Sequence, residues 1–168
     1  FIDNWRWKGV PFYLRSGKRL AKRATEIAIQ FKGVPHLLFG MSNPEGVPPN
    51  VLAIRIQPDE GISITFEAKE PGPAMRVQPV NMDFGYGESF SRVSSDAYER
   101  LLLDVLLGDQ TLFIRRDETE AAWGAVMPIL ESWEGNADVP LDTYVAGSWG
   151  PRSAGDLLRD DGFRWRRF

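Results

Sequence analysis

Apolar and polar residues alternate strictly in several short runs, and this constrains the fold of the chain more than any other feature. Leu52, Ile54 and Ile56 are interleaved with Val51, Ala53, Arg55 and Gln57, and after Pro58-Asp59-Glu60-Gly61 the sequence resumes with Ile62, Ile64, Phe66 and Ala68 against Ser63, Thr65 and Glu67. Side chains on an extended chain point to opposite faces in turn, so each run predicts a strand with one apolar face, and Pro-Asp-Glu-Gly predicts a tight turn. Val10-Phe12-Leu14, Ile27-Ile29-Phe31, Met75-Val77 and Met82-Phe84-Tyr86 repeat the pattern. The expected fold is therefore α+β, built on a large, mainly antiparallel β-sheet of about six strands with helices packed on one face. The first run and Ile27–Phe31 are expected to pair as a hairpin.

The opposite faces of these runs collect Arg15, Gln30, Arg55, Gln57, Ser63, Thr65, Arg76, Gln78 and Asp83. Such a face suits water, as is usual for one side of an antiparallel sheet, or a paired protein surface, where Arg is enriched. Cover for the apolar face is expected from helices. Asp96 with Glu99 forms a capping pair ahead of a stripe of Tyr98, Leu101, Leu102, Val105 and Leu106, which Gly108 ends. Asp117 with Glu120 forms a second pair ahead of Ala122, Trp123, Val126, Ile129 and Leu130, with Pro128 expected to kink that helix or end its regular part. Ser153 caps a short helix to Arg159, and Phe163, Trp165 and Phe168 predict a last strand.

Between the first two runs lies the most charged stretch of the chain. From Arg15 to Arg23 there are five cations, Arg15, Lys18, Arg19, Lys22 and Arg23, and no acid, in a chain of 168 residues with net charge −3. Lysine supplies a mobile point charge and arginine a planar fork, so a turn of this kind fits either a phosphate ester or plain solvent. Residues 1–35 hold eight Lys or Arg and two acids, so any cationic work is expected early in the chain. Trp5-Arg6-Trp7-Lys8 also mixes aromatics with cations, but the acidic chain as a whole does not have the charge of a nucleic-acid binder, and these residues read as the tail of a helix.

The remaining chemistry is sparse. The chain has no cysteine, which removes disulfides, thiolate metal sites and cysteine nucleophiles and fits a cytoplasmic protein. His36, the one histidine, lies beside Pro35 and an apolar run, and reads as a packing or surface residue rather than a base or a metal ligand. No complete active-site motif is present, Gly85-Tyr86-Gly87 reads as a bulge or a close backbone approach, and the carboxylate pairs sit in polar turns. No apolar run reaches the length of a membrane span. The chain starts at Phe1-Ile2-Asp3-Asn4-Trp5 without Met or a signal-peptide pattern, and reads as a piece of a longer protein.

Four blocks carry a resemblance. Asn4-Trp5-Arg6-Trp7 followed by Gly9-Val10-Pro11-Phe12-Tyr13-Leu14-Arg15-Ser16-Gly17-Lys18 is similar to the start of the C-terminal domain of the glucose-6-phosphate dehydrogenase family, of bacterial type. Asn50–Glu60, Asp96–Asp104 and Tyr144 with Gly147-Ser148-Trp149-Gly150-Pro151 match further blocks in the same order. The resemblance implies that residues 1–168 form a single substrate-binding and dimerisation domain of a longer oxidoreductase. The family oxidises glucose 6-phosphate to 6-phosphogluconolactone with NADP in the pentose phosphate pathway. It also implies that an N-terminal Rossmann domain binds the coenzyme and carries the catalytic histidine, leaving no catalytic residue, cofactor-binding residue or metal ligand here and no activity in this piece alone. Lys18, Arg23 and Gln57 fall on positions that reach the substrate. Arg15, Arg55 and Asp83 match the pattern of a second, structural NADP site found in some eukaryotic members. Ala24, Ala28, Ser63 and Thr65 stand where that site needs cations and an aromatic, so it is expected to be missing. The implied partners are glucose 6-phosphate, a second copy bound through the sheet and the Rossmann domain, with no nucleic acid or membrane. The competing reading is a stand-alone dimerising module whose basic turn is only surface.

Overall fold

The computed structural model describes residues 2–33, 47–90, 97–136 and 140–166. They fall into two units, Phe1–Arg92 with Tyr144–Phe168, and Val93–Thr143.

The first unit is organised by four antiparallel strands in the order of the chain: β1 (Thr25–Gln30), β2 (Val51–Gln57), β3 (Gly61–Lys69) and β4 (Val77–Gly85). The register bears out the alternation. Ile54 lies opposite Ile27 and Ile62, Leu52 opposite Ile29 and Ile64, and Met82 and Phe84 opposite Ile64 and Ile62, so one face is apolar across all four strands. Leu52, Ile54 and Ile64 are half-buried, while the others are more exposed, Phe84 at 36% and Met82 at 62%. The other face carries Glu26, Ala28, Ala53, Arg55, Ser63, Thr65, Asn81 and Asp83, with Ala53 and Ser63 fully buried. Thr65 Oγ1 donates to Asn81 Oδ1 at 2.7 Å, and Arg55 pairs with Asp83 at 3.0 Å.

The sheet has four strands among the described residues where the pattern suggested about six. The runs around Met75–Gln78 and Met82–Tyr86 are parts of one strand, β4, continuous through Pro79 opposite Glu67. β4 is the outer strand of this sheet, where a proline's missing N–H breaks no ladder bond. The register puts Gln78 on the apolar side, not the polar one. Gly85-Tyr86-Gly87 is the end of β4 and the start of α1 (Tyr86–Phe90), not a bulge within a strand.

Val10–Leu14 is irregular and joins no ladder, so the expected hairpin with β1 does not form; β1 pairs with β2 instead. Arg15 is correspondingly off the sheet. Residues 4–9 are hydrogen-bonded turns rather than a helical tail, with Asn4 Oδ1 accepting from the backbone N–H of Arg6 and Trp7. The unit closes with α4 (Arg152–Asp160), which buries Leu158 and has Pro151 as its N-cap, placing Ser153 inside the first turn. Phe163–Arg166 is irregular rather than a strand.

The second unit contains α2 (Ala97–Leu107) and α3 (Arg116–Glu134). α2 ends at Gly108, which takes φ +73°, as expected of a C-cap glycine. Within it Asp104 is buried and pairs with Arg100 at 3.0 Å. α3 starts earlier than Asp117, because Arg115 is the N-cap: its N–H donates to Glu118 at 3.0 Å while its guanidinium holds Asp117. The helix runs on past Pro128, whose absent N–H would have bonded the carbonyl of Gly124. Among the described residues no helix is long and apolar enough to cross a membrane. His36 and Asp96 lie outside the described residues.

Candidate functional site

The basic stretch becomes a turn just ahead of β1, and its conformation is set by residues more than a hundred positions away. Arg19 adopts φ +57°, a left-handed value that an L side chain tolerates poorly and keeps only where its surroundings hold it. Three hydrogen bonds do so. The Tyr144 hydroxyl donates to the carbonyl of Lys18 at 2.7 Å, the N–H of Gly147 to the carbonyl of Arg19 at 2.8 Å, and the N–H of Ala21 to the carbonyl of Ser148 at 2.9 Å. Gly17 leaves room there: a Cβ would crowd the Tyr144 hydroxyl at 3.0 Å and the methyls of Leu20 at 3.3 Å.

The segment leading into the turn is anchored separately. The Arg15 guanidinium sits over two indoles, 4.5 Å from the ring centre of Trp165 and 5.2 Å from that of Trp149. Desolvation there lowers its pKa from the ordinary arginine value. Tyr13 packs against Phe163 and Trp165, with ring centres 5.8 and 6.4 Å away, and its hydroxyl donates to Asp161. That hydrogen bond, with some desolvation and the carboxylate's charge, pushes the Tyr13 phenol up to about 12. Trp165 is fixed in turn by its Nε1–H, which donates to the Ala154 carbonyl at 2.7 Å, and Arg166 bonds Glu26 at the start of β1.

Of the three residues expected to reach a substrate, Lys18 lies at the head of the turn, exposed, with its carbonyl engaged and no acid on its ammonium among the described residues. Arg23 is exposed, two residues before β1, and likewise has no ion pair among the described residues. Gln57 ends β2 directly opposite Thr25, and its Nε2 donates to Thr25 Oγ1 at 3.0 Å. The register thus brings Gln57 to within two residues of Arg23. Arg23 is five positions beyond Lys18, a reach of at most about 18 Å. Sequence reasoning missed the residues that fix this geometry, Tyr144 above all; the only signal was that the glycine-rich stretch from Tyr144 to Pro151 carries aromatics.

Arg15, Arg55 and Asp83 do not form a dinucleotide site. Arg15 is enclosed by Trp149 and Trp165, and Arg55 and Asp83 neutralise each other at 3.0 Å on the sheet, with the Arg55 guanidinium also 3.4 Å from the Phe84 carbonyl. Ala24, Ala28, Ser63 and Thr65 themselves supply neither a cation nor an aromatic ring. The residues present therefore do not fit a structural NADP.

These features define an α+β domain with a four-stranded antiparallel meander and a latched cationic turn leading into its first strand. Residues 1–166 match the family model described as glucose-6-phosphate dehydrogenase, C-terminal domain, and the chain belongs to that family. A glucose-6-phosphate 1-dehydrogenase 2 of Mycobacterium tuberculosis is 50% identical over 166 residues, covering 99% of this chain and 32% of the relative. The crystal structure of glucose-6-phosphate 1-dehydrogenase from Mycobacterium avium superposes with a TM-score of 0.79 at 33% identity, over 99% of this chain and 34% of that one. A glucose-6-phosphate dehydrogenase in complex with its substrate glucose-6-phosphate superposes with a TM-score of 0.73 at 35% identity, over 90% of this chain and 30% of that one. The chain spans about a third of the length of the curated relatives it matches.

Proposed function

We propose that this chain supplies the substrate-phosphate contacts and the dimer surface of a cytoplasmic glucose-6-phosphate dehydrogenase, which oxidises glucose 6-phosphate to 6-phosphogluconolactone. NADP would supply the hydride acceptor for that reaction, held by a Rossmann domain elsewhere in the longer protein; no residue of this chain is assigned to it. The observation that carries the proposal is the turn itself, in which Lys18, Arg19, Lys22 and Arg23 have no counter-ion among the described residues while the main chain beneath them is tied down. A doubly charged phosphate ester meeting such a turn replaces solvent on cations that are already placed, without first displacing a carboxylate.

Lys18 and Arg23 take the phosphate, one as a point charge and the other as a fork. Gln57, with its amide nitrogen committed to Thr25, offers its amide oxygen to a sugar hydroxyl. Binding the non-reacting phosphate in this way orients the sugar towards the coenzyme and contributes through placement of the reacting carbon rather than through proton or hydride transfer. The polar face of the sheet, where the ion pair of Arg55 with Asp83 already balances charge, is proposed to meet the same face of a second copy about a two-fold axis.

In the full-length enzyme, Lys18→Ala removes one charge-assisted hydrogen bond and is expected to raise KM for glucose 6-phosphate by about tenfold or more. An unchanged KM would remove Lys18 from the binding site.

A further inference from the structure

We infer that Tyr144 is a positioning residue for the substrate phosphate, acting through the main chain of Lys18. The inference rests on the proposed role of Lys18 in binding. Tyr144 is 38% exposed and its hydroxyl bonds the carbonyl of Lys18, a group that needs no partner when it can face water. What the bond changes is the turn. Five cations without an acid between Arg15 and Arg23 repel one another, and Arg19 is in a left-handed conformation, so the segment released from its partners has every reason to open.

All three bonds that hold the turn join main-chain atoms of residues 18–21 to the 144–148 segment, and none of them engages a cationic side chain. The clamp therefore fixes where the ammonium of Lys18 starts from while leaving its charge available. A carboxylate in place of Tyr144 could not donate to that carbonyl and would compete with the phosphate for the cations; a phenol donates and carries no charge. Tyr144 is the one side chain in the clamp, the other two bonds being backbone to backbone, so it alone is open to a conservative test.

The experiment compares Tyr144→Phe, Lys18→Ala and the double variant in the full-length enzyme, reading KM and kcat for glucose 6-phosphate separately, with thermal midpoints recorded alongside. Tyr144→Phe is expected to raise KM about fivefold, the share of one neutral hydrogen bond, with kcat within about a factor of two. In the Lys18→Ala background the same change is expected to do nothing further, because the group it positions is gone. Gly17→Ala provides an independent variant: its methyl crowds the phenol hydroxyl at 3.0 Å and is expected to give the same split between KM and kcat. If Lys18→Ala raises KM but Tyr144→Phe and Gly17→Ala do not, the positioning role is overturned and the reading of Lys18 stands. If Tyr144→Phe raises KM equally with and without Lys18, Tyr144 acts by another route and the inference fails. If Lys18→Ala itself leaves KM unchanged, the binding reading and the inference fall together.

Discussion

The guanidinium of Arg15 lies 4.5 Å from the ring centre of Trp165, and this contact joins the N-terminal segment to the C-terminal one. Trp149 approaches from a second direction at 5.2 Å. An exposed cation over an indole contributes about 0.5–1 kcal/mol and a desolvated one about 2, so Arg15→Ala is expected to destabilise the first unit by about 1–2 kcal/mol. Chemical denaturation followed by tryptophan fluorescence measures this, and a midpoint equal to that of the unaltered protein would mean that the stacking is energetically idle. Arg15→Lys is expected to recover only part of the loss, since an ammonium lacks the flat face that lies on a ring.

The same contact shows what sequence alone could and could not reveal. The strands β2 and β3 were legible because Leu52-Ile54-Ile56 and Ile62-Ile64-Phe66 alternate locally and Pro58–Glu60 turns the chain between them. Val10-Phe12-Leu14 alternates just as well but joins no sheet, because the side that packs is that of Tyr13 and Arg15, whose partners Trp149, Asp161, Phe163 and Trp165 lie at the far end of the chain. Leu14 is left 91% exposed. Pro79 made one strand look like two, since its tolerance depends on β4 being outermost, which no local pattern records. At the site, the cations were evident from composition and the positions of Lys18, Arg23 and Gln57 came from resemblance. The clamp by Tyr144 and Gly147 was hidden because hydrogen bonds to main-chain carbonyls leave no trace in side-chain chemistry.

Gly61 illustrates a second long-range requirement. It reads as a turn glycine, yet a Cβ there would lie 2.4 Å from the Phe84 carbonyl oxygen and 2.5 Å from a nitrogen of the Arg55 guanidinium. Its missing side chain is what lets Arg55 lie across β3 to Asp83. Gly61→Ala is expected to cost about 1–3 kcal/mol by forcing backbone and guanidinium apart. Its thermal midpoint should fall well below that of Gly87→Ala, a change at a site with nothing within 4 Å of the Cβ position and no positive φ. Equal midpoints would contradict the close approach.

Alkaline stability should report on Tyr13. Its phenol titrates near 10 when unfolded and is pushed up to about 12 by donating to Asp161, so the folded state holds the proton more tightly. The stabilisation is complete below about pH 10 and is lost as pH rises through 12, where the folded state also releases its proton. Tyr13→Phe is expected to flatten the decline in thermal midpoint over that window and to delete a transition near 12 from the absorbance titration. A decline of unchanged steepness would place the sensitivity elsewhere.

Whether the turn reads the phosphate and not the sugar is the central question, and it has a direct measurement: the ratio of kcat/KM for glucose 6-phosphate to that for glucose, in the full-length enzyme and in its Lys18→Ala variant. Loss of one charge-assisted contact is expected to lower that ratio by about ten- to a hundredfold, all of it on the phosphorylated substrate. An equal loss on both sugars, or on neither, would contradict the assignment of the cationic turn to the phosphate.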